Sequence, residues 1–168
     1  MVRMLEIMRA RHAVVLVLFL ATLNRVDAAE SFVGREVPPG PPGCEHKEGG
    51  ILGDLDRFAY EVFDCKEAGE VALLERFVER RGKLAYWQVI DELRLPAPTR
   101  DGLARLDVPF CRSSAYKGSH VLAIGAWKEV PGGAVAERIS HAWRFNLESR
   151  RIESIPVKGV ACDREDID

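Results

Sequence analysis

The sequence predicts an α+β fold, an antiparallel β-meander sheet of four to five strands with one main helix packed on one face. Two patterns point there. Residues 67–81 carry apolar side chains at three- and four-residue spacing, the mark of one helical face. Residues 139–147 alternate, with Ile139, His141, Trp143, Phe145 and Leu147 set against Ser140, Ala142, Arg144 and Asn146, the mark of a half-buried strand. Short polar turns separate the strand-like segments after the helix. Consecutive strands would therefore pair antiparallel, and the helix would cover their apolar face.

The chain has 168 residues, 47% hydrophobic and 30% charged, with a formal charge of −2. That is too apolar for disorder, and a charge so near zero lacks the basic footprint of a nucleic-acid binder. Arg3, Arg9 and Arg11 precede an uncharged run of 11 residues from Ala13 to Leu23. A bilayer takes about 20 apolar residues to span, so the run is too short for a membrane anchor. Val26 and Ala28 then stand at −3 and −1 of a cleavage site. Residues 1–28 read as a secretory signal peptide that leaves no membrane span after cleavage, with the product periplasmic or secreted. Four of the 24 basic and two of the 26 acidic residues fall in 1–28, so 20 against 24 would remain, a charge of −4 over 140 residues.

Residues 29–50 read as a Pro/Gly-rich leader. The stretch Val37-Pro38-Pro39-Gly40-Pro41-Pro42-Gly43 has no apolar period, and proline favours extended polyproline backbone, so a spacer is expected. Residues 51–168 read as a single α+β domain. Within it Leu52–Ala59 leans to helix and Tyr60–Cys65 to strand. Glu67–Arg81 is the clearest helix. Val71, Leu74, Phe77 and Val78 form a stripe that Leu73 widens. Glu67 and Glu70 at its start and Arg80 and Arg81 at its end match the helix dipole, and Gly82 supplies a stop.

Leu84–Leu95 is a dense apolar stretch ending at Pro96. Its β-branched and aromatic content favours a strand, with a helix as the alternative. Pro96–Gly102 is a loop by composition. Leu106, Val108 and Phe110 share one face of a strand, which Pro109 places at an edge. His120–Val130 is a second strand, with Val121, Ala123, Gly125 and Trp127 on one face, closed by the turn Pro131-Gly132-Gly133. The alternating segment follows, and Ile152–Val157 is the last strand.

All four cysteines, Cys44, Cys65, Cys111 and Cys162, lie beyond residue 28. An even count in an oxidising compartment reads as two disulfides, with three connectivities open. No Cys-x-x-Cys suggests a redox pair.

The segments Trp87-Gln88-Val89-Ile90-Asp91-Glu92-Leu93-Arg94-Leu95-Pro96, Cys111-Arg112, Val121-Leu122-Ala123-Ile124, Ala142-Trp143-Arg144-Phe145, Arg151-Ile152-Glu153 and Gly159-Val160-Ala161-Cys162 follow a recurring order. In this the chain resembles a group of small, uncharacterised secreted proteins of proteobacteria, over roughly residues 83–163. The resemblance implies a periplasmic setting and a Cys111–Cys162 pair, which would leave Cys44 and Cys65 to each other. It implies no activity.

The candidates for chemistry are sparse. His141, between Ile139 and Trp143, reads as a satisfied core histidine. Ser140 and His141 fall on opposite faces of a regular strand and so would not form a nucleophile–base pair. Ser113 and Ser114 lack a Gly-x-Ser-x-Gly elbow. Cys44-Glu45-His46 lacks the paired spacing of a zinc site, and Asp54 and Asp56 lack the rest of a calcium loop. The acidic residues Asp163, Glu165, Asp166 and Asp168 read as a solvated terminus. No cofactor and no metal site is expected. Trp87, Trp127, His141 and Trp143 are the candidate binding face, should they be exposed together. The expectation is a non-enzymatic binding, inhibitor or accessory module of the periplasm, stabilised by disulfides, meeting an envelope protein or small ligand. The alternatives are a small hydrolase-like enzyme using His141 with Asp91 or Asp107, and a structural envelope component.

Overall fold

The run Val71-Ala72-Leu73-Leu74 is buried on both sides of a β-strand, Gly69–Arg81, where a helix is expected. Val71 and Leu73 point to one apolar cluster and Ala72 and Leu74 to another. Four consecutive apolar residues suit a central strand covered on both faces as well as they suit a wide helical stripe. The charges that match a helix dipole sit instead at strand ends. Gly82 has φ +63° and opens the two-residue hairpin turn that pairs Arg81 with Leu84. Glycine marks a helix stop and such a turn equally, because both need positive φ.

The computed structural model describes residues 30–53, 57–97 and 102–165. The segment read as a signal peptide lies outside them, as do Asp54, Asp56, Asp166 and Asp168. The chain divides into two units, Met1–Glu30 and Ser31–Asp168, and the fold is that of the second. Its strands are β1 (Glu36–Val37), β2 (Cys44–Leu52), β3 (Phe58–Cys65), β4 (Gly69–Arg81), β5 (Leu84–Arg94), β6 (Ala104–Leu106), β7 (Cys111–Ser113), β8 (Val121–Val130), β9 (Gly133–Asn146), β10 (Arg151–Ser154) and β11 (Val160–Glu165). No α-helix occurs among the described residues. The α+β expectation is therefore corrected to an all-β architecture of two antiparallel sheets. One runs β1-β5-β4-β3-β2. The other runs β6-β8-β9-β11-β7, with β10 also on β9.

Other expectations change with it. The described part of Leu52–Ala59 belongs to β2 and β3 rather than to a helix. The strand expected through Leu106, Val108 and Phe110 breaks at Asp107. Only β6 is extended, and Val108–Phe110 is a 3-10 turn with Pro109 inside it, because proline fixes φ and cannot continue a ladder. The stretch read as a spacer takes part in the fold, with Phe32 and Val37 buried and β2 starting at Cys44. Leu84–Leu95 is strand, as favoured.

Leu52, Tyr60, Val62, Ala72 and Leu74 of the first sheet meet Leu122, Ile124, Trp143 and Phe145 of the second in the central core. Burial of such side chains contributes roughly 1.5–3 kcal/mol each. Two carboxylates tie the sheets at opposite edges. On β2, Glu48 accepts hydrogen bonds from the Tyr60 hydroxyl at 2.7 Å and the Val108 amide at 3.1 Å, and pairs with Arg105. On β5, Asp91 accepts the Ile152 amide of β10 at 2.7 Å and pairs with Arg151. The outer face of each sheet has its own apolar cluster. Phe63, Val71, Leu73 and Val89 lie under Phe32 and Val37. Val121, Ala123 and Ala142 gather with Cys111, Ile155 and Cys162.

The disulfides are Cys44–Cys65 and Cys111–Cys162, each joining directly opposed residues of neighbouring antiparallel strands. Sequence separations of 21 and 51 correspond to about 3 and about 4 kcal/mol in the chain-entropy account. No helix among the described residues is long and apolar enough to cross a membrane.

Candidate functional site

The four residues expected to form a binding face lie on different surfaces. Trp143 is buried in the central core. Trp127 is half-buried on the outer face of the second sheet, with the Arg164 guanidinium 5.5 Å from its ring. Trp87 stands on the first sheet, edge-on to Phe77 at 5.5 Å. Only His141 and Trp143 come together, stacked at 5.7 Å with the imidazole exposed. The core reading of His141 is thus corrected. The pairing of β9 with β8 skips Ser140, since Ile124 faces His141 and Gly125 faces Ile139. This bulge also overturns the separation of Ser140 from His141, because the imidazole Nδ1 lies 3.0 Å from the Ser140 hydroxyl. That hydroxyl donates to the Ile124 carbonyl at 3.2 Å, so its proton is not directed at the histidine. Asp91 is held by β10 and Asp107 by Arg105 at 3.0 Å, which engages both carboxylates away from His141.

The chemistry gathers instead around Gly49 and Gly50 of β2. This strand ends the first sheet, and its outer edge has no strand partner among the described residues. A Cβ on Gly49 would fall 3.1 Å from His46 Nε2 and 3.3 Å from Glu61 Cγ, on the outer face. A Cβ on Gly50 would fall 2.9 Å from the Tyr60 ring, on the inner side. The two glycines leave a thin ribbon of backbone between two grooves. The inner groove, about 590 Å³, runs between β2 and the segments around Val108, Arg112 and His120. His120 accepts the Gly53 amide through Nε2 at 3.2 Å, and burial holds its pKa below the usual value, so the neutral ring that can accept is favoured.

The outer groove, about 280 Å³, is lined by His46, Ala59, Glu61 and Trp87 beside the β2 edge. Trp87 belongs to β5 and Ala59 to β3, with β4 between them. On β4, Phe77 faces Trp87, and Glu75 faces Ala59 on one side and Val89 on the other. Glu75 is 0% exposed and neither carboxyl oxygen has a hydrogen-bond partner. Burial, then the neighbouring Glu61, pushes its pKa up to about 8. It is mainly protonated at neutral pH, which avoids the cost of a buried unpaired charge. Burial raises the Glu61 pKa too, opposed by His46.

Glu75 escaped the sequence reading because a helix puts it on the polar side. As a strand, residues 71, 73, 75 and 77 share one face, and a carboxylate between Leu73 and Phe77 then stands out. His46 came under notice only beside Cys44, whose sulfur is in a disulfide. Among the described residues no group of three or more His, Cys, Asp or Glu side chains is placed to hold a metal ion. Comparison with known proteins returns no family model, no curated protein and no solved structure that matches the chain.

Proposed function

We propose that the protein is exported and works as a disulfide-braced, non-enzymatic binding module that takes up an extended, basic polypeptide segment of a partner along β2. The observation that carries this reading is the unpaired β2 edge, with Gly49 and Gly50 flanked by a groove on each face. An added strand gains main-chain hydrogen bonds from such an edge and sends alternate side chains to its two faces. The edge is not blunted by proline, and its glycines let a second backbone come close. Glu61 in the lining of the outer groove favours a basic side chain on that face. Export agrees with the two disulfides, the signal-peptide pattern and the resemblance to secreted proteins over residues 83–163.

Hydrogen exchange tests the reading with a blocked hexapeptide of alternating lysine and valine. Slowed exchange within residues 48–51, lost when the peptide is N-methylated at alternate positions, is the expected result. Equal binding of the methylated peptide, protection elsewhere, or protection of β2 by self-association without peptide would overturn it. N-terminal sequencing of protein recovered outside the cytoplasm should begin at Ala29 or Glu30, and intact Met1 would refute the signal peptide.

A further inference from the structure

We propose that His120 is an acid-released latch on the inner groove. Its neutral imidazole holds the end of β2 against the loop before β8, and its protonation lets go of that end and weakens uptake of the basic segment. The latch belongs to the folded chain alone, and its effect on uptake rests on the binding-module reading.

The groove has two walls. Gly49 and Gly50 of β2 belong to one, and Arg112, Ser119 and His120 to the other. Two polar attachments among the described residues join β2 across it. At one end Glu48 accepts the Val108 amide at 3.1 Å and pairs with Arg105 of β6. At the other end the Gly53 amide donates to His120 Nε2 at 3.2 Å. The first attachment is a carboxylate held by a guanidinium and an amide. The second depends on one nitrogen lone pair. A single proton removes it, and histidine is the side chain that takes one up between pH 5 and 8.

Because Nε2 accepts, the proton of the neutral ring sits on Nδ1. Protonation turns Nε2 into a donor that faces another donor. The ring is half-buried, and its surroundings give an imidazolium no anion. From β2 the groove presents Gly50 and Ile51, and from the turn before β7 it presents Val108 and Pro109. From β3 comes the Tyr60 hydroxyl, which donates to Glu48 and whose pKa burial raises. From β7 comes Arg112, a like charge that Asp163 holds at 2.6 Å. β9 gives the Phe145 amide, which donates to the His120 carbonyl at 3.0 Å. Burial alone lowers the His120 pKa, with no charged group contributing. A half-buried cation without an acceptor is costly, so the charged ring turns out to solvent.

Release is local. Leu52 stays buried in the central core and keeps β2 paired with β3. What changes is one end of the groove. The wall at His120 comes loose, and a positive charge is added beside Arg112, where a basic segment would lie. Both changes weaken uptake as pH falls below 6.5. No covalent bond changes, and the proton comes from solvent. By linkage, a bound segment favours the neutral ring in turn.

NMR of the protein without peptide tests the latch. The His120 ring should titrate with a midpoint below 6.5, and the Gly53 amide shift should follow it. Exchange of the Gly53 amide, corrected for its intrinsic pH dependence, should be roughly fivefold faster at pH 5 than at pH 7.5, the loss of about one hydrogen bond. His120→Gln supplies an acceptor that does not titrate and should flatten both responses. A Gly53 amide that ignores the His120 titration, or responds equally in the variant, overturns the latch. The titration of the unaltered protein decides even where the variant folds poorly. Binding of the hexapeptide tests uptake. Between pH 7.5 and 5 the affinity of the unaltered protein should fall roughly fivefold more than that of His120→Gln. Taking this difference removes whatever Glu61 and His46 of the outer groove contribute. Saturating hexapeptide should also lower the His120 midpoint. An equal fall in the two proteins, or a midpoint unmoved by peptide, overturns the proposal and leaves strand addition standing. A Gly53 amide that follows His120 in a protein that binds no hexapeptide at either pH supports the latch and removes strand addition.

Discussion

The outer face of the first sheet has two halves built on the same strands. In one, Phe63, Val71, Leu73 and Val89 are sealed by the N-terminal segment, whose Phe32 and Val37 are themselves buried. That segment is tied down by main-chain bonds from Gly34 to Val89 (2.8 Å) and from Val89 to Arg35 (3.0 Å), and by the Phe32 amide on Glu92 at 2.5 Å. In the other half, one residue pair further along β4, Glu75 replaces an apolar side chain, and Phe77, edge-on to Trp87, is 39% exposed. The sealed half buries apolar groups and satisfies its backbone, as a structural core does. The open half buries a carboxyl without a partner, which weakens a core. The contrast separates the part of the face that holds the fold from the part that leaves a buried carboxyl unpaired.

The largest expected effect comes from making the open half resemble the sealed one. The Glu75 pKa is raised from 4.5 to about 8 in the folded protein. Below about 4.5 the carboxyl is protonated folded or unfolded, and it has no effect on the pH dependence. Between 4.5 and 8 the unfolded chain loses the proton and the folded one keeps it, so stability falls as pH rises, by up to about 4 kcal/mol. Glu75→Met should remove this loss, gaining up to about 4 kcal/mol at pH 8 and much less at pH 5, as read by urea unfolding. His120 acts with the opposite sign. Its lowered pKa costs stability as pH falls through 6.5, so the comparison must be variant against unaltered protein at each pH. An equal gain at both pH values would show that Glu75 is not held protonated.

The sealed half should respond differently. Leu73 is 0% exposed, two residues before Glu75 on the same face. Leu73→Ala should cost about 3 kcal/mol through lost burial and a cavity. The loss should be the same at pH 5 and pH 8. A pH-dependent loss would mean that the two halves are one coupled unit.

How far this arrangement is legible in the sequence depends on the residue. The alternation around Trp143 and Phe145 correctly marks a strand with those side chains on the central core. It cannot register the extra residue at Ser140, which turns Ile139 to the outer cluster and leaves His141 exposed. Val71 to Leu74 read as a helical stripe because periodicity does not separate a doubly covered strand from a buried helix. What decides for strand is pairing with Phe58–Cys65 and Leu84–Arg94, a tertiary fact. Gly49 and Gly50 look like a linker until β3 is set beside them. Cysteine parity suffices to expect two bridges, but only the strand register sets Cys44 opposite Cys65.

The smallest effect concerns the border between the halves and asks whether residues 30–43 are core or spacer. The Glu92 carboxylate accepts the Phe32 amide. Glu92→Gln keeps an acceptor but removes its charge, which should weaken the N-terminal segment's attachment by about 1 kcal/mol. The readout is amide exchange at Gly34 and Val89, whose hydrogen bonds join the segment to β5. If the segment opens as a local unit, those two amides exchange roughly fivefold faster, while amides bonded between β3 and β4 do not change. If it is integral to the core, both sets speed up together, because the segment and the sheet open only in global unfolding. Local opening would expose Val71, Leu73 and Val89, extending the apolar floor of the open half along the same face. The sealed half would then be a second, conditional part of the binding surface, and the boundary between the halves would lie in the stability of this one attachment.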